Sequence, residues 1–296
     1  MFSKRLLLIV NPVSGKKLFL RYMPQVVRIF MDAGYLVTTM VTAAQGEATE
    51  YAARYGGDFD LVVCTGGDGT LNEVVTGLAR EKLSVPVGYI PCGSTNDFAI
   101  SRGLSSDVLT AAQAIARGRG IRYDLGRFGE HYFTYVAAFG AFSWLSYTTD
   151  QNLKNVLGHT AYILDGIMDL PKVKPYHVRL TADGAVYEGD YLFGAVCNST
   201  SIAGTLELPR EKVDTCDGLF EVLLIHEPKT LLEFESILLA VAVNKDYQSP
   251  YVDFFRASNI VIENPPTLDW TVDGEFPGHY DRVEVSPLPG FLELIS

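Results

Sequence analysis

The chain has 296 residues, 48% hydrophobic and 20% charged, which is enough apolar material for two packed domains and leaves no sign of a disordered tract or repeat. Its net charge of −11 excludes a general nucleic-acid binder, which needs a basic footprint, and argues against strong attraction to an anionic membrane. Cys64, Cys92, Cys197 and Cys216 form no C-x-x-C pair, so a zinc or disulfide framework is not expected and a reducing compartment is.

In chain order, residues 5–10 come first. Their apolar run ends at Asn11-Pro12, too early for a signal peptide, and reads as a buried parallel strand. Residues 18–33 have helical spacing, with Pro24 as a kink or restart. Then follow a strand at 35–41, a helix at 46–55, a strand at 59–64, a helix at 71–81, a strand at 85–90 and a helix at 108–117. Strands alternating with helices predict parallel βαβ units, so residues 1–122 are expected to form a nucleotide-binding α/β domain.

From residue 123 the rhythm changes. Strands are expected over 128–138, 177–181, 185–197, 219–225, 259–262 and 281–285, with turns at Ala182-Asp183-Gly184 and Asn264-Pro265-Pro266. Residues 123–286 therefore read as a mostly β sandwich domain that takes the acceptor, interrupted by helical stretches at 153–170 and 229–243. The apolar tail, 287–296, is expected to return to the first domain. No apolar stretch reaches the roughly 18 residues needed to span a bilayer, so the chain is expected in the cytoplasm, at most peripheral at the inner face of the membrane.

Three loops carry the chemistry. The strand at 59–64 runs into Gly66-Gly67-Asp68-Gly69-Thr70 and then a helix, a turn that brings bare backbone N–H groups and a helix N-terminus close to a phosphate. It is neither a Walker A sequence nor G-x-G-x-x-G, and Gly-Asp-Gly on its own often does no more than turn a chain. The strand at 5–10, however, runs into Asn11-Pro12-Val13-Ser14-Gly15-Lys16, and the strand at 85–90 into Pro91-Cys92-Gly93-Ser94-Thr95-Asn96-Asp97. All three loops should meet at the C-terminal edge of one sheet, where open α/β folds bind ligands.

These three segments look like the nucleotide-site motifs of diacylglycerol, sphingosine and ceramide kinases, and the chain resembles bacterial diacylglycerol kinases over nearly its whole length. The middle motif alone is also similar to one in NAD kinases. The resemblance implies a Rossmann-like domain of the NAD kinase and diacylglycerol kinase type, with ATP and Mg2+ as cofactors. It implies nucleotide contacts from Asn11, Pro12, Val13, Ser14, Gly15, Thr42, Gly66, Gly67, Asp68, Gly69, Thr70, Leu71, Asn72, Glu73, Gly93, Ser94, Asn96 and Asp97. Asp68 reads as a helix cap from its position, and the resemblance adds a part in the magnesium-assisted phosphate site. Asp124, in Tyr123-Asp124-Leu125-Gly126, matches another family acidic position.

Near the C-terminus, Asp273-Gly274-Glu275 is a common hairpin sequence. It also matches the family's catalytic triplet, and transfer to an alcohol needs a carboxylate for the hydroxyl proton. Asp273 is the first choice and Glu275 the second. The acidic segment Asp214-Thr215-Cys216-Asp217-Gly218-Leu219 resembles the family's structural magnesium loop, with ligands from Asp214, Asp217 and the backbone of Leu219. The chain departs from the family pattern where an Asn and, after a Gly, an acidic residue are usual. That stretch here is Tyr135-Val136-Ala137-Ala138-Phe139-Gly140-Ala141-Phe142.

The expected function is an ATP-dependent lipid kinase acting on diacylglycerol or a related glycerolipid at the membrane surface, with a homodimer as a candidate assembly. The alternatives are a kinase for a soluble alcohol such as NAD and a non-catalytic nucleotide- or lipid-binding sensor. Residues 139–147 and 162–170 are the expected acceptor lining.

Overall fold

The computed structural model describes residues 3–94, 96–140, 175–202, 206–209, 213–265 and 267–296. The helix expected at 153–170, and all of the expected acceptor lining beyond Gly140, lie outside the described residues.

The first half is an α/β domain. β1 (Lys4–Val10), α1 (Leu18–Asp32), β2 (Tyr35–Val41), α2 (Glu47–Tyr55), β3 (Leu61–Gly66), α3 (Asp68–Arg80), β4 (Val87–Pro91), α4 (Asp97–Ser101) and α5 (Val108–Arg117) follow in chain order. The four strands pair in parallel in the order β4-β3-β1-β2. Helices cover both faces, which is why β1 and β3 are near-continuous apolar runs rather than alternating ones. On one face Leu6, Leu8 and Val63 meet Phe19, Val26 and Phe30 of α1 and Ile115 of α5. On the other, Leu7, Ile9 and Cys64 meet Leu71, Val74 and Leu78 of α3. α1 runs unbroken through Pro24. α3 begins at Asp68, earlier than its apolar spacing signals, because Gly67 is extended (φ −90°, ψ −174°) and ends the strand-to-helix turn. The chain reverses its direction across the sheet at β1, and the crevice between the loops after β1 and β3 is the ligand position of such sheets.

The second half is mostly β: β5 (Gly120–Phe128), β6 (His131–Phe133), β7 (Val136–Gly140), β8 (Tyr176–Ala182), β9 (Ala185–Cys197), β10 (Ser201–Ile202), β11 (Leu206–Glu207), β12 (Phe220–His226), α6 (Leu231–Leu238), β13 (Val252–Ala257), β14 (Ile260–Glu263), β15 (Trp270–Val272) and β16 (Arg282–Ile295). The long strand β9 pairs with β8 along its first part and lies between β7 and β12 along its second. It thereby carries the sheet from one layer to the other. Phe128, Phe133, Phe139, Leu180, Phe220 and Trp270 fill the core that the layers enclose. Trp270 packs on Phe128 and Phe139, each at 4.9 Å between ring centroids.

Two differences from the sequence expectation matter for the site. The strand expected over 128–138 is broken by a tight turn in which Gly129 takes φ 57°, so that β6 folds back antiparallel on β5. The strand at 281–285 and the tail at 287–296 are a single strand, β16. Its register against β5 shifts between Leu288 and Leu292, where Pro289 and Gly290 (φ 57°) make a bulge. At its far end β16 pairs in parallel with β4, Leu294 opposite Val87 and Ile295 opposite Gly88. One sheet thus runs through both halves.

Candidate active site

The C-terminal edge of the parallel sheet carries a cavity of about 840 Å3, within the range of small-molecule sites. Residues 11–15 after β1, 42–45 after β2, Gly67, Gly69 and Thr70 after β3, and Gly93 and Ser94 after β4 line it; Glu275 supplies a wall from the second half. The contribution of Ala43, Ala44 and Gln45 has no motif to announce it, and its only signal in the sequence is that these residues follow a parallel strand.

The loops are packed on one another at backbone distance. A Cβ on Gly15 (φ 50°) would stand 1.9 Å from the carbonyl oxygen of Cys92, and one on Gly93 would stand 2.5 Å from Cα of Gly67. Only glycine permits these approaches. The first turns of α3 then clamp each neighbour. Thr70 Oγ1 accepts from Asn11 Nδ2 at 3.0 Å. Asp68 accepts the backbone N–H groups of Asp97 and Phe98 at 2.8 and 3.2 Å, capping α4. Glu73 accepts those of Gly46 and Ala48 at 2.9 and 3.2 Å, holding the loop that ends β2. Asn72 Nδ2 donates to the Tyr132 carbonyl at 2.8 Å and to Asp273 at 2.9 Å, reaching the second half. Thr42 Oγ1 donates to the Val10 carbonyl at 3.3 Å. Asn96, in left-handed conformation (φ 55°), closes the third loop by accepting from Gly93 N at 2.8 Å and donating to Gly93 O at 2.9 Å. Pro12, Val13, Gly66 and Leu71 shape the same loops, and Leu71 is wholly buried under them. Burial pushes the carboxyl of Asp68 up, against the opposing pull of its two N–H donors, and burial likewise raises Asp97.

Asp273 and Glu275 part company. Asp273 and Gly274 both have positive φ (48° and 86°), and Val272 and Glu275 bond each other across them, which is the tight hairpin that Asp-Gly signals. Asp273 is 5% exposed. Its two oxygens accept from Thr134 N, Thr134 Oγ1, Tyr135 N, Val136 N and Asn72 Nδ2. Burial raises its pKa and these donors oppose the shift. The carboxylate of Glu275, in contrast, is exposed in the cavity wall, and a Cβ on Gly69 would lie 3.7 Å from its Oε1. The clamp by residues 134–136 is invisible in the sequence, since backbone amides supply most of it.

The Asp214 loop lies on the other side of the junction. Asp124, 1% exposed, accepts the N–H groups of Gly218 and Gly290, both at 2.6 Å, and so ties β5 to this loop and to the bulge of β16. Asp214 accepts Cys216 N at 3.0 Å, and Asp217 accepts Leu219 N at 3.0 Å and pairs with Arg256. Arg256 Nε also stands 3.2 Å from buried Glu221, whose carboxyl burial pushes up to about 8. No group of three metal-ligating side chains occurs among the described residues. With Asp217 taken by a guanidinium and Asp214 by its own loop, this arrangement does not fit the metal that the resemblance implies.

Comparison with known proteins matches residues 5–128 to the diacylglycerol kinase catalytic domain and residues 143–296 to the YegS C-terminal NAD kinase beta sandwich-like domain. The chain is similar to the diacylglycerol kinase of Staphylococcus saprophyticus, with 35% identity over 277 residues, covering 93% of this chain and 90% of the relative. The diacylglycerol kinase of Bacillus subtilis is 32% identical over 278 residues, covering 93% and 91%. A diacylglycerol kinase crystal structure from Bacillus anthracis superposes with a TM-score of 0.78 at 23% identity, covering 99% of this chain and 96% of that one, and shares the fold. The sequence similarity spans both halves and every loop of the cavity, so the chain belongs to the diacylglycerol kinase family, phosphotransferases with an alcohol group as acceptor.

Proposed function

We propose that the chain transfers the γ-phosphoryl group of MgATP to the free hydroxyl of diacylglycerol or a related glycerolipid. The observation that carries this reading is the wall of the cavity: the glycine-rich loops of one half are faced by a carboxylate, Glu275, from the other. Magnesium enters as the counter-ion of the nucleotide and is part of the substrate. The N–H groups of the loop at Gly67 and Gly69 and the N-terminus of α3 bind the phosphates. The loop at 42–45 takes the nucleoside end, and Gly93, Ser94 and Asn96 complete the phosphate cradle. Asp68 fixes α4 next to this cradle, and Asp97 opens that helix. The acceptor oxygen bonds to the γ-phosphorus as the bond to the β–γ bridging oxygen breaks, and Glu275 receives the hydroxyl proton.

The choice of Glu275 over Asp273 follows from hydrogen bonding. Asp273 has no acceptor site left for a substrate proton, whereas Glu275 faces the cavity. Asp273 instead sets the turn that aims Glu275. The acceptor is drawn from the membrane surface, since its acyl chains keep it there. Among the described residues no helix is long and apolar enough to cross a membrane, which fits a chain that visits the surface from the cytoplasm.

The test is transfer of label from γ-labelled ATP to dioleoylglycerol in mixed micelles, with NAD and a sugar alongside. Wild type is expected to label the glyceride and not NAD. Glu275→Gln is expected to lose about 10²–10⁴-fold in kcat with ATP affinity retained. Equal or better labelling of NAD rejects the lipid acceptor, and normal turnover by Glu275→Gln rejects the base.

A further inference from the structure

One buried side chain beside the hairpin of Asp273 and Glu275 has no task in the scheme above. Tyr135 joins β6 to β7 inside the segment that clamps Asp273. Its N–H donates to Asp273 Oδ1 at 3.1 Å, and its carbonyl accepts from Asn198 N at 2.9 Å. The backbone is therefore held on both sides. The residue is 6% exposed, and its ring packs with Val136, Phe193, Ala195 and Leu223 in an apolar cluster.

The hydroxyl points elsewhere. It lies against the hairpin that carries Glu275: a Cβ on Gly274 would stand 3.9 Å from Tyr135 Oη. Burial first, then the charges of Asp273, Asp68, Asp97 and Glu275, raise its pKa, so the phenol stays protonated and is a donor at any physiological pH. Buried tyrosines ordinarily find a partner for this hydroxyl. Among the described residues it donates to none; the hydrogen bonds of Tyr135 run through its backbone. Nor is it among the sealed, unpartnered polar atoms of the interior, which belong to Arg102, Asn198 and Glu221. The unbonded donor is not sealed in, and it stands beside the hairpin that presents Glu275.

An oxygen that arrives with the substrate suits this donor. Asp273 is saturated and Asp68 already accepts two backbone N–H groups. The attacking oxygen of an alcohol has one proton and two lone pairs. With the proton facing Glu275 and one lone pair facing phosphorus, a single lone pair is left, and a neutral donor satisfies it without adding charge to a site crowded with carboxylates. We propose that Tyr135 is an acceptor-binding residue whose hydroxyl donates to the attacking oxygen of the acceptor alcohol and so turns its other lone pair toward the phosphoryl group. This rests on the transfer reading above. It assigns a role to a residue that none of the nucleotide motifs contains.

Tyr135→Phe removes the oxygen alone and keeps the ring in its cluster. The experiment compares wild type and this variant in transfer from ATP to dioctanoylglycerol in mixed micelles, together with the KM for ATP and the melting temperature. The expected result is a fall of about tenfold in kcat/KM for the glyceride, the effect of one hydrogen bond, at unchanged KM for ATP and unchanged melting temperature. A variant with wild-type kcat/KM for the glyceride overturns the proposal and leaves the kinase reading standing. So does a KM for ATP that changes in step with that for the glyceride, because the hydroxyl then serves the nucleotide. A wild type that labels another alcohol and no glyceride overturns the acceptor class alone, and Tyr135→Phe is then judged on that alcohol. A wild type inert toward every alcohol overturns both.

Discussion

Two carboxylates two positions apart, Asp273 and Glu275, show how little a residue's identity says without its neighbours. Asp273 accepts five hydrogen bonds in a buried setting, so an amide in its place would aim an NH2 group at donors. Asp273→Asn is therefore expected to destabilise the fold, by about 1–3 kcal/mol for each donor left unpaired, and to lose transfer because the turn under Glu275 slackens. Thermal unfolding checks it: a variant that melts with wild type means the clamp is idle. Glu275→Gln, at an exposed position, should melt as wild type does. The triplet was legible in the sequence as a turn and, by resemblance, as catalytic. Its division of labour was not, because the groups that saturate Asp273 come from Asn72 and from backbone amides at 134–136.

At the scale of elements, α3 is the hub. Its first six residues reach the loop after β1 through Thr70, α4 through Asp68, the second half through Asn72 and the loop after β2 through Glu73. The motif Gly66 to Glu73 reads in the sequence as a phosphate loop, and in the structure its polar side chains, Asp68, Thr70, Asn72 and Glu73, also hold other loops in place. Glu73→Ala frees the N–H groups of Gly46 and Ala48 and is expected to weaken ATP binding roughly tenfold, from two charge-assisted bonds lost in part to water. Calorimetric titration with a non-hydrolysable ATP analogue reads this directly, and unchanged affinity would show that the loop at 42–45 holds its shape unaided. The elements most legible in the sequence were the buried parallel strands, through their short apolar runs. The least legible were β5, whose Arg122 and Arg127 face solvent and hide its pattern, and β16, where Pro287, Pro289 and Gly290 imitate a chain break. A bulge accommodates those residues, and a bulge is fixed by the partner strand.

For the whole molecule the consequence of β16 is mechanical. Leu294 is fully buried and lies in one strand between β4 of the parallel sheet, opposite Val87, and β5, opposite Ile121. Earlier in the same strand Val283 and Val285 pair with β14 and belong to the core of the second half. Asp124 pins the bulge between these segments, and Asn72 bonds Asp273 across the cleft. A cavity made by both halves needs this continuity, because Glu275 can be aimed at the crevice only if the sheet that carries it does not swing. The two halves are therefore expected to unfold as one cooperative unit. Leu294→Ala removes core volume on the side of the first half and should cost roughly 3 kcal/mol. If the halves are coupled, amide protection falls by the same factor in β1 and β3 as in β9 and β12, and calorimetry shows one transition at lower temperature. Protection lost in β1 and β3 alone, with β9 and β12 unchanged, would mean that the halves fold independently and that β16 is a tether, in which case the wall at Glu275 is positioned by Asn72 and Asp273 without help from the shared strand.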